Sequence, residues 1–208
     1  MRWLELHLRC RGVPTVAGFG FALVAAVWIL WTIFSESRDV DFSFVLLIIV
    51  LLVSAASATL TGADDALDRT AAKPWIPVRL AHLLAAYAII TGLLLLTLAT
   101  PTRFGPAAEV SRDVAGLLGL AALGAAVVGA HRSWFLPLLW TLSAIFSTAF
   151  STHGPGSATT ARQSFTWMLQ PVDSQPAALV AATLATTGLI AYTLRGTPPR
   201  PASDPAPS

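Results

Sequence analysis

The sequence predicts an all-α integral membrane protein with six transmembrane helices, an N-terminal interfacial helix and both termini in the cytoplasm. Hydrophobic types make up 55% of the 208 residues, and only 12% are Asp, Glu, Lys or Arg. This charged fraction is about half of that usual in a soluble domain. The apolar residues form blocks of about 17 to 21 residues without an ionised side chain, long enough to cross about 30 Å of hydrocarbon. A soluble enzyme is therefore excluded.

Six blocks define the predicted spans. The fourth is rich in glycine, which lowers helix propensity, but Ala121, Ala125 and Gly129 recur at the spacing that lets helices pack closely. No ionised side chain falls inside any block, which disfavours carriers driven through buried charge. In chain order the predicted spans are 16–34, 42–61, 80–100, 114–130, 134–150 and 177–194.

The basic residues between the spans predict the orientation. Lys and Arg favour the cytoplasmic side of a membrane. Nine of them fall at the termini and in the second-to-third and fourth-to-fifth connections, and four fall on the opposite side. Both termini are therefore expected in the cytoplasm. The bias of twelve arginines against one lysine is typical of a GC-rich bacterial genome, so we expect a multi-pass protein of the bacterial inner membrane.

The segments before and after the spans have different compositions. Residues 1–15 mix leucines and Trp3 with arginines, which favours an amphipathic segment lying in the cytoplasmic interface, although an ordinary positive flank fits as well. Residues 16–195 form the predicted transmembrane domain. Residues 196–208 contain five prolines and no apolar run, so we expect a disordered tail.

Several kinds of chemistry find no support in the sequence. The net charge is only +2, and no basic run interleaves with aromatic residues, so nucleic acid is not an expected partner. Cys10 is the single cysteine, and the four histidines are too scattered for a metal site. There is no phosphate-binding loop of the Gly-x-x-x-x-Gly-Lys type. We therefore expect no catalytic residue, cofactor or metal in this chain.

Two connections carry candidate functional residues. In the first, 62–79, acids come first and bases later, which suits the dipole of a short helix. The second, 151–176, contains an apolar cluster that is costly to leave in water. A short helix over 162–170 would pack this cluster near the outer leaflet, either as a gate or as an aromatic anchor. The cluster consists of Phe165, Trp167, Met168 and Leu169.

This arrangement resembles the membrane subunit of an ABC transporter of the type-2 exporter class. In that family an elbow helix precedes six spans, a coupling helix joins the second span to the third, and short re-entrant helices lie outside between the fifth and sixth. Residues 1–14, 64–73 and 162–170 occupy these places here. The resemblance implies a permease subunit with a second permease copy or homologue, surrounded by membrane lipid. It also implies separate ATPase subunits that hold ATP and Mg. The coupling residues would be Asp64, Asp65, Leu67, Asp68, Arg69 and Lys73.

Two other classes remain open at the level of sequence. Asp64, Asp65 and Asp68 have the spacing by which aspartates hold magnesium on a diphosphate, and they resemble the aspartate-rich loop of intramembrane prenyltransferases. Those enzymes typically have nine helices and a second aspartate-rich loop, neither of which is found here. A non-catalytic membrane scaffold or sensor is the other alternative.

Overall fold

The described part of the chain, residues 12–60, 75–150 and 160–198 of a computed structural model, is a helical bundle. Six long helices and one short helix are joined by loops and 3₁₀ turns. The helices are α1 (Val13–Phe34), α2 (Phe42–Ser57), α3 (Trp75–Leu95), α4 (Ala107–Val127), α5 (Phe135–Ala149), α6 (Thr160–Phe165) and α7 (Gln175–Arg195). The 3₁₀ turns are Ala58–Leu60, Leu96–Ala99, Ala130–Arg132 and Trp167–Leu169.

The long helices alternate in direction, so the bundle has two ends. At one end the Tyr192 hydroxyl donates to the Leu60 carbonyl at 2.7 Å, which ties α7 to the turn after α2. We call this the Tyr192 end. At the other, the loops after α1 and α3 pair through Val40 N–H to Arg103 O at 3.0 Å, beside the buried Phe104. We call this the Phe104 end.

The prediction of an all-helical membrane protein is confirmed in its coarse form. Helix accounts for 83% of the structure. Within the described residues, five helices are long and apolar enough to cross a membrane: α1, α2 with its 3₁₀ turn, α3 with its 3₁₀ turn, α4 and α7. The remaining long helix, α5, has 15 residues. At 1.5 Å per residue it rises about 22 Å, less than the thickness of a typical hydrocarbon core.

Four helices begin earlier than the sequence predicts. α7 begins two residues early, at Gln175, and α3 begins at Trp75 rather than at 80, so that its first turns include Arg79. α1 begins at Val13, after Gly12 with a φ of 66°, so the last residues assigned to the N-terminal segment belong to the first long helix. α4 begins at Ala107 rather than at 114, and its first two turns contain Glu109, Arg112 and Asp113. The prediction that no ionised residue lies within a span is wrong for this helix. The spans are predicted as stretches without charge, so charged turns that continue the same helix are left out.

The expected stripe of small residues in the fourth span is also partly wrong. Ala121 and Ala125 are fully buried in α4, but Gly129 lies beyond the end of the helix with a φ of 95°. The close approach is made instead by Gly119 of α4 and Gly188 of α7. A methyl group on either would collide with the backbone of the facing helix. α4 and α7 are thus packed backbone against backbone.

The helices differ strongly in how much they bury. α2 and α4 form the centre of the bundle, with 61% and 67% of their most apolar stretches buried. α1 is peripheral, because only 11% of its most apolar stretch is buried. Its buried residues are Gly20 and Val24. Hydrogen bonds from Trp28 to Thr100 and between Thr32 and Thr102, both 2.9 Å, hold α1 at the Phe104 end.

Candidate functional site

The segment 160–170, which we call the plug segment, packs at the Phe104 end against α4, α5 and α7. It is not the continuous helix over 162–170 that the sequence predicts. α6 ends at Phe165, Thr166 adopts a φ of −96° and ψ of 27°, and a 3₁₀ turn follows. This break turns the next two side chains, Trp167 and Met168, into the bundle, where both are 0% exposed.

The first half of the plug segment is held by α5. The indole ring of Trp140 stacks on the ring of Phe165 with centroids 5.6 Å apart. The Trp140 Nε1–H also donates to the Phe165 carbonyl at 3.0 Å. This bond satisfies a carbonyl at the end of α6, where the helix itself supplies no partner. One side chain of α5 therefore contacts both the ring and the backbone of Phe165.

The second half is seated on α4. The Trp167 ring lies directly over Gly116, and a Cβ built on that glycine would collide with the ring. Gly116 therefore provides the space that the indole occupies. Met168 and Leu169 complete the apolar contact, Met168 fully buried and Leu169 partly buried against the core. The predicted apolar cluster is thus packed against the helices of the bundle.

Arg112 of α4 connects the plug segment to a buried carboxylate. Its guanidinium donates from Nη2 to the Gln170 carbonyl at 2.9 Å and from Nη1 to the Pro171 carbonyl at 3.0 Å. Its Nε donates to Asp113 Oδ1 at 2.9 Å. The Asp113 side chain is 0% exposed and that of Arg112 is 9% exposed, so this ion pair is largely removed from solvent. Removing one partner of such a buried pair strongly destabilises a protein, because the other charge is left buried without a partner.

Two buried polar atoms at this site have no hydrogen-bond partner among the described residues. They are Asp113 Oδ2 and Trp167 Nε1. Buried polar atoms are nearly always paired, so these two atoms are exceptions within the described residues. The sequence disfavours carriers driven through buried charge because no charge falls inside the predicted spans. The buried Asp113 carboxylate on α4 removes that reason.

The predicted residues fall into two groups. The predicted gate residues come together at the Phe104 end; they are Phe165, Trp167, Met168 and Leu169. The predicted coupling residues Asp64, Asp65, Leu67, Asp68, Arg69 and Lys73 lie outside the described residues, as do 1–11 of the N-terminal segment and 199–208 of the tail. Sequence reasoning missed Trp140, Arg112 and Asp113. The partners of Trp140 and Arg112 in and after the plug segment are 25 to 59 residues away along the chain. Arg112 and Asp113 also lie on a helical turn that the predicted span leaves out because the turn is charged.

A polar pair lies near the Tyr192 end. Thr59 Oγ1 and His82 Nε2 are 2.9 Å apart, and the same hydroxyl is 2.7 Å from the Ala56 carbonyl. A hydroxyl has a single proton. If Thr59 donates it to Ala56, the Nε2–H of His82 donates to Thr59. No group of three or more potential metal ligands occurs within the described residues.

Comparisons of the chain with known protein families, with curated proteins and with solved structures found no match.

Proposed function

We propose that this chain is the permease subunit of an ABC transporter, with six spans and both termini in the cytoplasm of a bacterium. The observation that carries the proposal is the plug segment. A short helical segment between the fifth and sixth long helices re-enters the bundle at one end and is anchored on three of its helices. Such a segment is positioned to open or close a pathway at that end.

The alternation of the six long helices supports the proposed topology. With α5 counted as a short span, the start of α1 and the end of α7 both lie at the Tyr192 end, which we propose is cytoplasmic, and the plug segment lies at the opposite, external end. Leu60 and Trp75, the described residues on either side of segment 64–73, lie at the Tyr192 end, where a cytoplasmic ATPase would bind. The proposed partners are therefore two ATPase subunits that hold ATP and Mg, together with a second permease copy or homologue.

The topology is tested by cysteine labelling in intact cells after Cys10→Ser. A membrane-impermeant maleimide should reach Asp39→Cys and Ala107→Cys but should not reach Asp65→Cys. Asp39 and Ala107 are both solvent-exposed at the Phe104 end. Labelling of Asp65→Cys from outside would contradict the proposed orientation.

The ATPase coupling is tested by charge reversal at Asp68 and Arg69. If these groups are desolvated in the complex, the reversal should weaken ATPase association by about 1 to 3 kcal/mol, or about 5- to 150-fold. The readouts are recovery of the ATPase from affinity purification of the full chain in mild detergent and transport-linked ATPase activity.

The adjacent pair Arg38 and Asp39 provides a matched control, because both are exposed at the opposite end of the bundle. Reversal of this pair should leave ATPase association unchanged. Retained association in the Asp68 and Arg69 variant would contradict the coupling assignment. If that variant instead lost magnesium-dependent binding of a prenyl diphosphate, the enzyme alternative would replace the permease.

A further inference from the structure

An apolar cavity of about 280 Å³ lies between α1, α2 and α3, away from the plug segment. It is nearly twice the size of an engineered 150 Å³ apolar cavity that admits benzene. Its lining includes Val16 and Gly20 of α1, Leu52 and Ala56 of α2, and Ala86 and Ile89 of α3. The cavity opens toward the outside of the bundle, because Ile89 is 49% exposed and Ala17 and Ala85 on its wall are also exposed.

The cavity has the length and depth of one leaflet. Along α3 its lining runs over twelve residues, from His82 to Leu93, which is about 16 Å of helix. Half of a hydrocarbon core is about 15 Å thick. On α1 the lining residues all fall within the first eight residues of the helix, nearest the Tyr192 end. On α2 and its 3₁₀ turn they fall between Leu52 and Thr59, in the half nearest the same end.

The two ends of the cavity differ in polarity. Thr59 and His82 lie at the Tyr192 end and contact each other. Toward the bundle centre the lining is entirely aliphatic and ends at Leu52, Ile90 and Leu93. Water in this deeper part would have no polar partner, and a void there would leave the lining atoms without dispersion contacts. The surrounding molecules that offer a flexible apolar segment of this length are lipids.

We propose that this cavity holds one acyl chain of a phospholipid from the leaflet at the Tyr192 end. The chain enters between α1 and α3 and reaches the bundle centre beside Gly20 and Leu52. The glycerol region then lies near Thr59 and His82, where polar groups end the apolar lining. The proposal needs only that the bundle spans a membrane, so it is independent of the permease assignment.

The test uses a phosphatidylcholine that carries a diazirine on one acyl chain, in phosphatidylcholine vesicles containing the full chain. After solubilisation in mild detergent and size-exclusion chromatography to remove bulk lipid, the sample is irradiated and the adducts are mapped by mass spectrometry. We expect a retained lipid with adducts on lining residues such as Ile89 and Leu93. Loss of all labelled lipid, or equal labelling of lining residues and of the exposed, non-lining Ala88, would overturn the proposal.

Two matched pairs of variants sharpen the test. Ala86→Leu narrows the cavity from α3, whereas Ala88→Leu on the same helix faces away from it. Ala17→Leu narrows it at the exposed mouth on α1, and Ala22→Leu is its exposed, non-lining control. The first member of each pair should lose the retained lipid while the second keeps it.

Because Ala17 is exposed, its replacement leaves the buried core untouched and remains informative if Ala86→Leu fails to fold. Equal retention by Ala17→Leu and Ala22→Leu would overturn the proposal. Retention of a free diazirine fatty acid but not of the phosphatidylcholine would also overturn it, because the occupant would then come from another source.

Discussion

Replacing Gly188 with alanine should separate the two most closely packed helices of the bundle. A methyl group on Gly188 would collide with the carbonyl oxygen of Gly119 and would lie 2.6 Å from its carbonyl carbon and 2.8 Å from its Cα. These atoms belong to the backbone of α4, so no side-chain rotation relieves the collision. α4 and α7 must move apart, which weakens contacts along both helices.

The magnitude follows from two opposing effects. Overpacking a well-packed interface costs about 1 to 3 kcal/mol. The atoms that face Gly188 belong to the backbone and cannot rotate away, so we expect a cost at the upper end of this range. Alanine in place of glycine within a helix gains about 1 kcal/mol. Gly92 in α3 provides the control, since a methyl group there meets nothing within 4 Å. Gly92→Ala has the same propensity gain without the collision, so the two variants should differ by about 3 kcal/mol.

The free energies of unfolding are measured by reversible SDS titration of the protein in detergent micelles, followed by far-ultraviolet circular dichroism. Gly188→Ala should unfold at a lower SDS mole fraction than the parent, and Gly92→Ala at an equal or higher one. Equal stability of the two variants would refute the backbone contact between α4 and α7. Gly119→Ala, which meets the backbone of Ala185, should behave like Gly188→Ala.

The plug segment yields three further predictions, each read from the maleimide reactivity of a cysteine at the buried Met168 in a Cys10→Ser background. Gly116→Ala should raise this reactivity because its methyl group displaces the Trp167 ring; unchanged reactivity would contradict that contact. Arg112→Ala should raise it further, because it removes two carbonyl bonds and leaves a buried carboxylate unpaired at a cost of about 3 to 5 kcal/mol. Trp140→Phe loses one hydrogen bond, worth about 0.5 to 1.5 kcal/mol, and should give a smaller rise than Arg112→Ala; an equal rise would mean that Arg112 is not the main anchor.

The sequence predicts the positions of most long helices because their ends coincide with changes in polarity. α2 begins at the predicted residue, Phe42, and α5 and α7 begin within two residues of their predicted starts. The start of α4 is missed because Arg112 and Asp113 are read as the end of a connection. Two signals for the earlier start are present in the sequence: Pro106 before the helix and Glu109 in its first turn.

The site is less predictable than the fold because its contacts depend on tertiary geometry. An apolar cluster that must be packed is visible in the sequence, but the surface that receives it is not. Gly116 accepts the Trp167 ring, although its residue type is equally consistent with packing against another helix. Arg112 reaches the carbonyls of Gln170 and Pro171, and no side-chain pattern in that segment signals a backbone contact. The close approach of Gly119 to Gly188 likewise depends on the rotation of two helices.

The packing also indicates which parts of the bundle move together. The plug segment contacts α4 through a hydrogen bond from Arg112 and through the packing of Trp167 on Gly116. α4 in turn packs against the backbone of α7 at Gly119. Closely packed interfaces switch between discrete arrangements and do not deform continuously, so we expect these three elements to move as one unit. α1 is different, since it buries little and the apolar cavity lies between its first turns and the neighbouring α2 and α3. Under the permease proposal, a push on segment 64–73 reaches α2 and α3 first. A shift of these helices would change the volume of the cavity beside α1, and an exchangeable acyl chain there would fill the changing volume.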